Sequence, residues 1–84
     1  PDPALRVKVR PAEGGLEIEL TARRLARAVY LSAPRWPGRF SDNFFDLMPG
    51  DAHRVTWLST GRPPAVKTFT AGLTIRSMRD AARG

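Results

Sequence analysis

The chain has 84 residues, enough for one small domain. It contains no cysteine, which excludes disulfides, thiol catalysis and cysteine-ligated metal, so an apolar core must hold the fold. Lys and Arg number 14 against 8 acids, a formal charge of +6, but twelve of the fourteen are Arg and they are spread from Arg6 to Arg83 with no run longer than Arg23-Arg24. That spread describes a solvated surface rather than a nucleic-acid stripe, and no run of about 18 apolar residues offers a membrane-spanning helix. Neither nucleic acid nor a membrane is therefore expected as a partner.

The chain opens Pro1-Asp2-Pro3, without Met and without a charged start leading into an apolar run. Residues 1–4 are expected to be the end of a linker, in a piece cut from something larger. Leu5-Arg6-Val7-Lys8-Val9-Arg10 alternates apolar and basic, and Leu16-Glu17-Ile18-Glu19-Leu20 alternates apolar and acidic. Both show the period of a half-buried strand, and residues 11–15, with Gly14-Gly15, form the turn between them. If Leu5, Val7 and Val9 share a core face with Leu20, Ile18 and Leu16, then Lys8 falls opposite Glu17 and Arg6 opposite Glu19.

Residues 21–28 fit a helical turn or an extended chain. Residues 28–32 read as a strand ended by Pro34, residues 35–43 as a loop, and residues 44–47 as a short strand or its edge. Met48-Pro49-Gly50-Asp51 has the chemistry of a type II turn, with Pro and Gly at its centre. Residues 54–59 form the next strand, with Val55 and Trp57 on one face; Gly61-Arg62-Pro63-Pro64 is a turn; residues 65–71 are ambiguous. Residues 72–78 are the last strand, with Leu73 and Ile75 inward, and residues 79–84 have nothing to bury and are expected to fray. The expected organisation is thus a linker end at 1–4, one domain over 5–78 and a tail at 79–84. The strand spacing predicts an all-β fold, an antiparallel immunoglobulin- or fibronectin-like β-sandwich of about six to seven strands, with Trp57, Tyr30 and a Phe filling its centre. A small barrel is the alternative.

No catalytic constellation is visible. His53 is alone, which leaves no metal site, and no cofactor is expected. Glycoside hydrolysis needs two facing carboxylates, but Glu17 and Glu19 lie outward among cations, and Asp42 and Asp46 lie on a loop and an edge. The serines lack a His and acid arrangement, and no glycine loop would cradle a phosphate.

One segment stands apart. Residues 36–47 hold four of the seven aromatics in the chain, together with Ser41, Asp42 and Asn43, whose side chains bond local backbone and stabilise turns. Alternation sends Phe45 and Leu47 one way, and Phe44 and Asp46 the other, toward solvent or a partner. Phe44 could equally serve only to cover a sheet edge.

The string Arg39-Phe40-Ser41-Asp42-Asn43-Phe44-Phe45-Asp46-Leu47-Met48-Pro49-Gly50 resembles the C-terminal domain of β-mannosidases in glycoside hydrolase family 2. That domain carries a Pro-Gly-Arg-Phe-Ser-Asp-Asn stretch followed by aromatics and often a Leu-Pro-Gly turn. Residues 25–32 resemble its preceding strand, and residues 73–80 its closing one. Small departures are Met48, where Leu is common, and Ala81, where an aromatic or polar residue often follows. The resemblance implies an immunoglobulin-like domain at the end of a retaining enzyme that removes terminal β-linked mannose. Its two catalytic glutamates sit in a barrel that this chain does not contain, so no catalytic residue is carried over.

The expected role is a non-catalytic accessory domain whose partners are the other domains of the parent glycosidase. Trp36, Arg39, Phe40, Asp42, Asn43 and Phe44 are the candidate interdomain or sugar contacts. The alternatives are a carbohydrate-binding module that stacks sugars on exposed aromatics, and a protein- or nucleic-acid-binding sandwich that uses the basic excess. Related enzymes acting on other β-glycosides could carry a similar tail, and the compartment is left open between cytoplasmic and periplasmic or secreted.

Overall fold

The computed structural model describes residues 5–77. The expected linker end, Met78 and the expected tail lie outside the described residues. The elements, in chain order, are β1 (Leu5–Ala12), β2 (Gly15–Ala22), β3 (Ala26–Ser32), β4 (Gly38–Phe40), β5 (Phe45–Leu47), β6 (Ala52–Ser59), α1 (Val66–Gly72) and β7 (Thr74–Arg76). They build a four-stranded sheet of order β1-β2-β6-β4 and a three-stranded sheet of order β5-β3-β7, with every pair antiparallel. Two separate sheets make a sandwich, not a barrel.

The first hairpin forms as the alternation requires, but its register is slid by two residues. Val7 opposes Leu20 rather than Ile18, Lys8 opposes Glu19 rather than Glu17, and Arg6 opposes Thr21. The cause is the turn. It contains only Glu13 and Gly14, with Gly14 at φ +79, so Pro11 and Ala12 join the ladder. A slide of two keeps every side chain on its face, and Pro11 is tolerated because β1 is an edge strand. The charge pairs change accordingly. Arg10 bridges Glu17 and Glu19 at 3.2 Å each, and Arg54 approaches Glu19 at 3.7 Å.

The inner faces supply the core. Leu16, Ile18 and Leu20 of β2 and Val55 and Trp57 of β6 face Ala26, Val29 and Leu31 of β3 and Leu47 of β5. The centre is Trp57 against Phe69 of α1, with ring centroids 4.7 Å apart. Tyr30 is not part of it: it alternates with buried Val29 and Leu31 and lies half-buried on the other face of β3. The ambiguous segment is therefore helical for one reason. Ala65 offers no side-chain cap, and the turn is held by burying Phe69 completely.

The type II turn forms as its residues require, with the Asp51 amide donating to the Met48 carbonyl at 3.1 Å and Gly50 at φ +84. Val55 and Trp57 share the buried face of β6. Within the expected loop 35–43 the chain adds β4, three residues paired to β6. Three residues after a proline are too few to show alternation.

Candidate functional site

Between β4 and β5 the chain leaves one sheet for the other in four residues, Ser41, Asp42, Asn43 and Phe44. Their polar groups are bonded to both sheets. On the β6 side, the Ser41 amide donates to the Thr56 carbonyl at 2.7 Å, and Ser41 Oγ accepts from the Thr56 amide at 3.0 Å. Asp42 Oδ2 lies 2.9 Å from His53 Nε2 of β6, while its Oδ1 accepts from the Asn43 amide at 2.8 Å. On the β3 side, Asn43 Oδ1 accepts from the Leu31 amide at 2.7 Å, and Asn43 Nδ2 donates to the Leu31 carbonyl at 3.2 Å.

The Asn43 contact has a backbone logic. β3 and β5 pair at Val29↔Phe45. Continuing that register would place Asn43 directly opposite Leu31. Phe44 instead adopts φ +58, the left-handed region, and the main chain turns off the ladder. The Asn43 side-chain amide, with a donor and an acceptor side by side, then makes the two bonds its backbone would have made. Asp46 does similar work lower on the same pair. β3 bulges between Ala26 and Val29, with Ala28 at φ +48, and Asp46 Oδ1 accepts from the Ala28 amide at 3.0 Å.

The aromatics sort into two groups. Phe45 stacks on His53, centroids 3.9 Å apart, closing the seam between the sheets. Trp36 is half-buried against Phe69 at 5.4 Å and lies so close to Gly72 that a Cβ there would come within 2.7 Å of its ring. The Arg35 guanidinium covers Trp36 at 5.0 Å. Phe40 is half-buried opposite Trp57. Phe44 alone among them faces solvent, 71% exposed, stacked on Tyr30 at 5.4 Å and 26°.

The six sequence candidates therefore lie in different settings. Asp42 and Asn43 are hydrogen-bonded within the fold, and Trp36 and Phe40 belong to the apolar layer. Arg39 is exposed beside an open cleft of about 480 Å³ that includes Gly38, Leu58 and Thr60, and Phe44 is exposed on the other sheet. Ser41 and Asp46 complete the arrangement from within the singled-out segment, and Tyr30 and His53 from outside it. The preference of Ser, Asp and Asn for bonding nearby backbone was the available signal, but nothing in the pattern says which distant strand supplies the partner. Among the described residues no cluster of three or more His, Cys, Asp or Glu could hold a metal ion.

The string that braces the crossover is the one that carries the resemblance, and the family comparison agrees with it. Residues 1–81 match Ig_mannosidase, an Ig-fold domain family. The chain belongs to this family. Its domains are found in glycoside hydrolase family 2 mannosidases. No curated protein matches the chain.

Proposed function

We propose that this Ig-fold domain is the C-terminal accessory domain of a β-mannosidase that hydrolyses terminal non-reducing β-D-mannose residues. In this reading it performs no chemistry and stabilises the parent enzyme by packing on its other domains. The observation that carries the reading is the direction of the polar groups in the family's most specific string: Ser41, Asp42 and Asn43 bond to β6 and β3. Glu17 and Glu19, the closest pair of carboxylates along one strand, are matched by Arg10 and Arg54. The test is removal of the domain from the parent polypeptide. The truncated enzyme should lose thermal stability or solubility. Unchanged melting temperature and unchanged hydrolysis of a small synthetic mannoside would overturn the reading.

A second reading, a carbohydrate-binding module, is favoured by one observation: the Phe44 ring is 71% exposed and lies on Tyr30. It predicts that mannose oligosaccharides at millimolar concentration shift the ring proton resonances of both residues. Absence of any shift removes it.

A further inference from the structure

We infer that the outer face of the three-stranded sheet, centred on Phe44, Tyr30 and Arg76, is the surface through which this domain docks, and that its occupant is an apolar protein surface rimmed by carboxylates on the rest of the same polypeptide. The inference rests on the accessory-domain reading above and names the face that reading requires.

Phe44 is the most exposed large apolar residue among the described residues, and it is held there at φ +58, a region that a bulky side chain seldom occupies. Backbone strain of this kind persists where surrounding contacts over-determine it. Here the preceding residue is clamped to Leu31 by two hydrogen bonds, and the following one is packed on His53. The ring is thus presented in a fixed position, so little ordering remains to be done on contact. Beneath it lies Tyr30, and across the ladder from Tyr30 stands Arg76. Residues directly opposite on paired strands share a face. Aromatics with Arg are the composition of interface centres.

Charge selects the occupant. Arg27 on β3 and Arg76 on β7 are exposed, and neither is in an ion pair among the described residues. The carboxylate on this face, Asp46, already accepts from the Ala28 amide. Cations around an apolar centre, with the local acid committed elsewhere, complement a surface that brings its own carboxylates. The opposite sheet also carries exposed cations in no ion pair among the described residues, Arg6, Lys8 and Arg39, so what singles out this face is the fixed Phe44 ring, and its cations then set the chemistry of the occupant.

The experiment is hydroxyl-radical footprinting of the intact polypeptide that carries the domain, as wild type and with Arg76→Glu or Phe44→Gly. Glycine suits the backbone at residue 44, so that variant removes the ring without harming the fold. The inference predicts that Phe44, 71% exposed in the domain by itself, is modified several-fold more slowly than exposed rings, that Arg76→Glu restores its reactivity, and that Phe44→Gly lowers the stability of the intact polypeptide. Free reactivity at Phe44, with protection at Leu58 or Arg39 instead, overturns this face and leaves the accessory-domain reading standing. Free reactivity over the whole domain overturns both. Protection that appears only when mannose oligosaccharide is added makes the occupant a sugar and overturns the inference.

Discussion

β2 is paired along its whole length with β1 and from Gly15 to Thr21 with β6, each residue opposing one partner on each side. β3 meets β5 at only two register positions, Ala26↔Leu47 and Val29↔Phe45, with a bulge between them. The first arrangement satisfies its backbone groups by ladder alone. The second leaves gaps at Ala28 and Leu31, and side chains fill them: Asp46 for Ala28, Asn43 for Leu31. A backbone group left unpaired inside a fold costs about 1–3 kcal/mol, so these two side chains are part of the sheet rather than decoration on it. The polar string between β4 and β5 is therefore best understood as the device that lets an irregular sheet close over a regular one.

Substitutions should separate the two sheets. The largest effect is expected where both meet, at Trp57, which is 1% exposed between β6 and Phe69. Trp57→Ala should lower stability by about 3–5 kcal/mol in chemical denaturation, and a loss under about 1 kcal/mol would mean that the core is not centred there. Asn43→Ala should come next, at about 2–3 kcal/mol, because it orphans both backbone groups of Leu31. Asn43→Asp should also destabilise, since it keeps the acceptor for the Leu31 amide but sets a carboxylate oxygen against the Leu31 carbonyl. Asp46→Ala removes one acceptor at an exposed site and should cost about 1 kcal/mol. In the regular sheet, Arg10→Ala should cost under about 1 kcal/mol, because its ion pairs sit on a side chain that is 52% exposed. If Arg10→Ala proved more damaging than Asn43→Ala, the contrast between the sheets would be reversed.

The same contrast explains what could be read from the residues alone. β1, β2 and β6 were legible because strict alternation marks a strand with one buried face, and charge alternation confirmed which face was outer. The register was missed by two because the faces are identical in both pairings and only the two-residue turn at Glu13-Gly14 decides between them. The three-stranded sheet was less legible for a physical reason. β5 and β7 are three residues each, too short for periodicity, and the pairing of β5 with β3 is completed by side chains whose partners are 12 and 18 positions away. The Phe expected beside Trp57 in the core is Phe69, from the ambiguous segment, while Tyr30 lies on the outer face of β3, because three consecutive apolar residues, Val29-Tyr30-Leu31, do not declare which of them face inward. For the candidate site, the sequence singled out the stretch that bridges the two sheets. It could not tell Asn43, which reaches inward to Leu31, from Phe44 beside it, which points to solvent.

The central claim is that Asn43 completes the strand pairing of Leu31. Amide hydrogen exchange at Leu31, compared with Ile18 in the regular sheet, tests it most directly. In the Asn43→Ala variant, exchange at Leu31 should accelerate far more than exchange at Ile18. Equal protection of Leu31 in the wild type and the variant would contradict the claim and return Asn43 to the status of a free side chain available to a ligand.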